Sequence, residues 1–499
     1  MKSIGICYPG PIKSGMAGTG IRILHSYFSG RFKQNVFFSG TLGERDAGPI
    51  PLFRGNDHDP KEYDYLVFSV VSEDLYPNMV KLLRDRDIPL RCEDRGPDDP
   101  IVIGGGKPVM ANILPIKDIF DAIGIGELES LIPPFCDIAE TQPVDRELIR
   151  EELAAVDGFY VPAFDNQAER VASDEIHVPK PYLFSGNPEL EKTLDIEVTR
   201  GCRHSCTFCQ AQVLDHPYRE RSADEFEEYL DYLLEHKEDP EYVKLIGLSA
   251  MEHSQIKELL EIVYDRGLKS RFSSNRIDRL HEMTDIHQYL AKQQRFGVEV
   301  AGEEARGQLG KYFGNKQVFE LIEQLNRVQD ISKVTLMFII GMTDDREEED
   351  RRVRRIIKLI NEAYDICDHK LDINISIFIP ETFTYLEDMT MADMDYIRQK
   401  WDEIMAEIPN EVGRINPDDT IDHFFLCGIY SRGGEELLDA LERAYELDLG
   451  WRHGFEHWEQ VFESCGIDWE EIVYSSDQKP WRDTDNWNIP NAVPPVGAE

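Results

Sequence analysis

The chain has 499 residues and a net charge of −41, from 54 Lys+Arg against 95 Asp+Glu, with 41% hydrophobic residues. At ~100–200 residues per domain this is about two to four domains, and 24 Phe with 20 Tyr supply large cores, which excludes a disordered acidic tail protein. A field this negative repels phosphate backbones and excludes nonspecific nucleic-acid binding, and no run reaches the ~18–20 consecutive apolar residues of a membrane span.

Residues 1–140 alternate strand and helix signals, the pattern of a doubly wound parallel sheet. Met1 to Tyr8 holds one Lys and then a strand-like apolar run, without the apolar core of a secretory signal. Strands are predicted over 3–7, 36–38 and 65–71, and helices over 21–28 and 75–86. Ile101-Val102-Ile103 runs into Gly104-Gly105-Gly106, and Ala122-Ile123-Gly124-Ile125-Gly126 runs into Glu127. Residues 141–190 hold Pro162, Pro179, Pro181 and Pro188 with little periodicity past Phe164, and read as a linker.

From 191 to 405 the alternation resumes. Strands are predicted over 195–199, 243–248, 270–273, 295–300, 334–340 and 371–379, with helices such as 223–236 and 346–364 between them. Six strand–helix units predict a partial (β/α)6 barrel, whose active site belongs at the C-terminal strand ends. Residues 406–499 change character, with His423, Arg432, Arg452, His453 and His457 beside Trp451, Trp458, Trp481 and Trp487. Helices are predicted over 435–447 and 458–465, so this part is expected to be a small, mainly helical accessory region.

The nine cysteines are odd in number and scattered, apart from one triplet, which is not a disulfide framework and points to a reducing, cytoplasmic setting. The triplet is Cys202-x3-Cys206-x2-Cys209, directly after a predicted strand. Three thiolates in a tight loop hold three irons of a [4Fe–4S] cluster and leave the fourth open. A zinc site wants four ligands in spaced pairs, and His204 inside so short a loop makes a poor tetrahedral fourth.

On these residues the sequence resembles the radical S-adenosylmethionine (SAM) superfamily. The resemblance implies that Cys202, Cys206 and Cys209 bind the cluster, and that the open iron chelates S-adenosylmethionine. Phe208 stands at the aromatic position before the last cysteine, where the loop supports adenine. Gly247 to Glu252 occupies the second strand end, where the family often has Gly-Gly-Glu; this departure leaves the roles of Ser249, Ala250 and Glu252 open. Ser273 to Asp278 resembles the polar third strand end and implies SAM contacts from Arg276 and Asp278. Glu299, with one residue inserted before Gly302, resembles the fourth-strand motif and implies a bond to a ribose hydroxyl or the methionine amine. Met337 to Met342 resembles the fifth-strand motif, with Ile339 against adenine.

The whole chain further resembles radical SAM proteins with a B12-binding-type domain, a Rossmann-like domain placed before the barrel. Gly104, Gly105 and Gly106, and Gly124 to Glu127, match that domain's Gly-rich strand ends, and Gly158-Phe159-Tyr160-Val161-Pro162 matches the segment before the barrel. The resemblance admits cobalamin as a further cofactor. The Asp-x-His-x-x-Gly signature is absent, and Asn56-Asp57-His58-Asp59 is the nearest string. Arg432 and His457 are candidates to line a substrate pocket or to satisfy the core. Pro380 to Thr384 replaces a common Pro-Lys-Pro-His-Thr.

The expected activity is radical cleavage of S-adenosylmethionine, with cobalamin-dependent methylation of an unactivated carbon as the leading reaction. Oxidation or C–C bond formation without cobalamin is the alternative, and methylthiolation would need Cys7, Cys92 and Cys136 to share a second cluster. A metal-binding sensor is the non-enzyme reading. Expected partners are a small-molecule or lipid-like substrate and a low-potential donor such as ferredoxin or flavodoxin. The spread acidity, with Arg outnumbering Lys, resembles the surface chemistry of an extreme halophile.

Overall fold

The computed structural model describes residues 1–40, 50–51, 59–187, 190–237, 239–415, 420–450, 453–476, 480 and 487–488. The chain forms two compact units. The first comprises residues 1–190 and 426–491, the second residues 191–425 and 492–499.

The first unit is built on a sheet whose strands are Ser3–Tyr8 (β1), Lys33–Phe38 (β2), Ile50–Pro51 (β3), Tyr65–Ser69 (β4), Ile101–Gly105 (β5), Ala122–Gly124 (β6) and Phe159–Tyr160 (β7). Their order is β3-β2-β1-β4-β5-β6-β7. The five central strands are parallel, and short antiparallel strands close both edges. Near-continuous apolar runs such as Tyr65 to Phe68 are buried on both faces, as a doubly wound sheet requires. The order reverses between β1 and β4, and ligands of such sheets bind outside the carboxyl ends of the strands at that point.

Residues 141–190 are less of a linker than the proline content suggests. Helix Arg146–Ala154 is capped by Asp145, and β7 joins the sheet. Arg95, Arg146 and Arg150 converge on buried Asp121 at 3.3, 2.6 and 2.7 Å, which ties that helix to the sheet. Ala168–Glu169 (β8) pairs in parallel with Trp487–Asn488. The C-terminal segment also differs from a separate accessory region: residues 426–491 are part of the first unit. Buried Asn112 donates to the carbonyls of Ser431 at 3.1 Å and Gly433 at 2.8 Å. Arg432 donates to the carbonyls of Ile472 and Ser475, both at 3.2 Å, so it serves the core. His457 is half-exposed.

The second unit carries Thr193–Glu197 (β9), Thr199–Arg200 (β10), Arg219–Glu220 (β11), Tyr242–Ile246 (β12), Lys269–Arg271 (β13), Gln293–Glu299 (β14), Lys333–Ile340 (β15), Lys370–Ile377 (β16) and Gly413–Arg414 (β17). Parallel ladders run β9-β12-β13 and β14-β15-β16-β17. The bridges Ser270↔Leu290 and Asn275↔Phe296 join them into one open, sequential barrel wall. Helices return the chain between strands, among them Ala223–His236, started by a Ser222–Glu225 capping box, and Arg346–Ile366, capped by Asp345. The six-strand expectation is met, with β17 as a short seventh. Among the described residues no helix is long and apolar enough to cross a membrane.

Candidate active site

The cysteine loop leaves the barrel through a small hairpin. β10 pairs antiparallel with β11, Thr199↔Glu220 and Arg200↔Arg219, so the two ends of loop 201–218 are held together. Several bonds then fix the loop. Thr207 N–H donates to the Leu309 carbonyl at 3.3 Å, Tyr385 N–H donates to the Thr207 carbonyl at 3.1 Å, and Gln210 donates to the Thr382 carbonyl at 3.1 Å and its hydroxyl at 3.0 Å. Gly310 has φ +73°, and a Cβ there would stand 2.7 Å from the Ser205 carbonyl oxygen. The loop therefore lies directly on backbone that only glycine supplies.

Cys202, Cys206 and Cys209 are all thiols and half-buried. Burial pushes the Cys206 thiol up, and the cations of Lys311 and Arg276 work against that. Arg276 Nη1 stands 3.9 Å from Cys206 Sγ, and the same guanidinium is doubly bonded to Asp278 at 3.1 and 2.8 Å. Among the described residues no three His, Cys, Asp or Glu side chains converge as on a single metal ion. A [4Fe–4S] cluster asks each thiolate to hold its own iron, so three half-buried thiols on one clamped loop beside two cations suit an anionic cluster.

The strand ends form a polar ring beside this loop. After β12, Ser249 is 8% exposed and its Oγ has no partner among the described residues. Glu252 bonds His204 of the cysteine loop at 3.2 Å and lies 3.7 Å from Arg279. That bond to His204, then the nearby guanidinium charges, hold the Glu252 carboxyl below its ordinary range. After β13, Asn275 donates to Gln294 at 3.0 Å while its Oδ1 has no partner among the described residues. Upstream of the residue inserted between Glu299 and Gly302, β14 carries a bulge between Gly297 and Glu299. It places Glu299 at φ +59°, buried and paired with Lys311, which also donates to the Gly297 carbonyl at 3.0 Å. Beyond β15, Phe208 and Ile339 pack on one apolar cluster of Val300, Ala305, Leu309, Met342 and Phe378.

The structure thus gathers Cys202, Cys206, Cys209, Phe208, Ser249, Arg276, Asp278, Glu299 and Ile339 in the second unit, on the loop and strand ends of one barrel. Gly104, Gly105 and Gly106 lie in the first unit, at the end of β5. A Cβ on Gly104 would strike the Phe120 ring at 2.5 Å, and one on Gly106 would meet the Val70 carbonyl at 1.7 Å, so both have reasons within the chain. Gly105 meets only the Gly124 carbonyl oxygen at 3.5 Å, an ordinary contact. Sequence reasoning missed Lys311 and Gly310; the Gly307–Gly310–Lys311 string after the Glu299 motif is the signal that points to them. Cys7, Cys92 and Cys136 are buried in separate elements, with thiols raised by burial, Cys136 to about 12. His58 of the nearest cobalamin-like string lies outside the described residues, as do Trp451, Arg452 and Trp481.

Known proteins resemble the chain in both of its units. The radical SAM superfamily model matches residues 196–354, and the model for radical SAM proteins, N-terminal, matches residues 44–162. An uncharacterized protein of Methanocaldococcus jannaschii is 24% identical over 451 residues, covering 89% of this chain and 91% of its own. Among solved structures, the radical SAM methyltransferase TsrM from Kitasatospora setae, with cobalamin and a [4Fe–4S] cluster bound, has a TM-score of 0.58 at 12% identity, over 93% of this chain and 99% of its own. The cobalamin-dependent radical SAM enzyme OxsB, with aqua-cobalamin and S-adenosylmethionine bound, has a TM-score of 0.53 at 13% identity, over 98% and 85%.

Proposed function

The chain belongs to the radical SAM superfamily, and on that premise we propose that this enzyme uses Cys202, Cys206 and Cys209 to hold its [4Fe–4S] cluster and methylates an unactivated carbon with cobalamin on its N-terminal unit. The observation that carries the methyl-transfer reading is the parallel order β2-β1-β4-β5-β6, with its switch point between β1 and β4, in the same chain as the clamped cysteine loop. Cobalamin would lie outside the ends of β1, β4 and β5, with Gly105 among its neighbours. Held by Cys202, Cys206 and Cys209, the cluster would supply reductive cleavage of S-adenosylmethionine and with it hydrogen-atom abstraction from the substrate, and cobalamin would supply the methyl carrier.

The residues divide the remaining work. Phe208 and Ile339 offer an apolar face to adenine and keep water from the reacting carbon. Glu299, set by the bulge and charge-balanced by Lys311, takes a ribose hydroxyl or the methionine amine. Ser249 Oγ and Asn275 Oδ1, buried without protein partners, have bonds to give to the same ligand. Arg276 and Asp278 act as a pair, Arg276 screening the Cys206 sulfur. A low-potential ferredoxin or flavodoxin is the electron donor of this reading.

The test is anaerobic purification with hydroxocobalamin supplied, followed by cobalt analysis and the visible corrinoid spectrum. About one cobalt per cluster-loaded chain supports methyl transfer. A chain loaded with cluster that takes up no corrinoid overturns it and leaves radical oxidation or C–C bond formation. One observation favours that second reading: the chain's own packing already accounts for Gly104 and Gly106.

A further inference from the structure

The turn that ends β15 is held by charged side chains of the helix that follows it. The register of β15 with β16 stops at Ile340, and Gly341 follows at φ +82°. Glu349, in the first turn of helix Arg346–Ile366, accepts the Gly341 N–H on its carboxyl at 2.6 Å. One turn on, Arg352 donates to the Met342 carbonyl at 3.3 Å and to Gln308 Oε1 at 3.1 Å. The backbone carbonyl of Gln308 in turn takes the Thr207 hydroxyl at 3.4 Å. A single helix thus ties the end of β15 to the cysteine loop.

Glu349 is 1% exposed, and its Oε2 has no hydrogen-bond partner among the described residues. Burial pushes its carboxyl up, and the bond from the Gly341 N–H works against that. A buried carboxyl with an unsatisfied oxygen is costly, and an apolar side chain of similar volume would fill the space more cheaply. Such a group is explained by what it holds. The Gly341 N–H lies past the paired residues of β15, and Glu349 is its acceptor. Met342, whose carbonyl Arg352 takes, belongs to the apolar cluster on which Phe208 and Ile339 also pack. That cluster joins β15 to the cysteine loop, so its shape depends on the spacing that Glu349 and Arg352 set.

We propose that Glu349 and Arg352 are positioning residues for the nucleoside end of S-adenosylmethionine, holding Ile339 and Met342 in register with Phe208. The inference rests on the proposed function, in which Phe208 and Ile339 face adenine. Neither charged side chain touches the ligand in this role. Glu349 fixes the turn, and Arg352 fixes its distance from the cysteine loop. A surface displaced by about 1 Å is enough to weaken a site built on it. Removing either group therefore lowers the affinity for S-adenosylmethionine and leaves the three thiols to hold iron. Glu349→Gln keeps a side-chain oxygen for the Gly341 N–H, whereas Glu349→Ala removes it.

The experiment has two parts. In the full, iron-free chain, amide hydrogen exchange reads the turn itself: Glu349→Ala should speed exchange over residues 340–343, and Glu349→Gln should not. In the reconstituted, oxidised chain, calorimetric titration with S-adenosylmethionine reads the consequence. Glu349→Ala and Arg352→Gln should each weaken binding roughly tenfold or more, as the loss of one charge-assisted hydrogen bond does, and Glu349→Gln should restore most of it. Lys358→Gln, exposed on the same helix, leaves binding unchanged. Iron should stay at about four per chain throughout, and with dithionite the KM for S-adenosylmethionine should rise while kcat for 5′-deoxyadenosine holds. Thermal unfolding checks each variant, and Arg352→Gln carries the test if Glu349→Ala does not fold. Affinity equal to wild type in the folded variants, or iron lost in step with affinity, overturns this assignment alone. Wild type that binds S-adenosylmethionine yet releases no 5′-deoxyadenosine contradicts the proposed function and leaves the assignment standing; wild type that does not bind it overturns both.

Discussion

Gly310 shows how much of the site depends on a single missing methyl group. It sits at φ +73° with the Ser205 carbonyl where a Cβ would be. Gly310→Ala is strained in its backbone and pushes on the cysteine loop, at a cost of about 1–3 kcal/mol. The expected outcome is a folded chain that loads less iron and loses it faster to a chelator, read by iron analysis and circular dichroism together. Unchanged iron retention would mean that the loop tolerates the shift. At this scale the sequence was unevenly legible. Local spacing is enough to reveal a cysteine triplet, and the extra residue before Gly302 was visible as an insertion. The bulge at Val298, which turns Glu299 onto Lys311, was not, because that pairing joins positions whose proximity only the fold creates. The His204–Glu252 bond was hidden for the same reason.

Among the elements, amphipathic helices with clear start signals were read best. The helix predicted over 223–236 is Ala223–His236, since the Ser222–Glu225 box marks its first turn unambiguously. Barrel strands shifted by one or two residues, because their ends run into loops of similar composition. The β10–β11 hairpin was missed outright, being two residues a side with no apolar alternation. Two C-terminal helices, Leu437–Glu446 and Phe455–Ser464, were placed to within a few residues, whereas Thr420–Arg432 and Trp469–Tyr474 were missed, as was their association, which depends on long-range bonds. Asn112 supplies two of them, to Ser431 and Gly433. Asn112→Ala leaves two buried carbonyls short of a donor and should cost the first unit about 2–4 kcal/mol. Tryptophan fluorescence reports it, since Trp458 is buried in that segment. An unaltered urea midpoint would show that residues 426–491 are held by apolar packing alone.

For the whole molecule, the dominant electrostatic fact is the net charge of −41. The outer charge repels anions at long range and is screened by salt, with a Debye length of about 3 Å at 1 M. Relief of self-repulsion should raise the thermal midpoint by roughly 5–10 °C between 0.1 and 2 M KCl. Scanning calorimetry reads this directly, and a midpoint indifferent to KCl would leave the acidity without a stabilising role. In the proposed function the chemistry lies at the cysteine loop and the strand ends around it. The most direct test of the account is anaerobic reconstitution with iron and sulfide, reduction by dithionite, and measurement of 5′-deoxyadenosine from added S-adenosylmethionine. Wild type should hold about four irons per chain and release 5′-deoxyadenosine, and Cys206→Ala should do neither. Release by Cys206→Ala at the wild-type rate, or none from fully loaded wild type, would contradict the account.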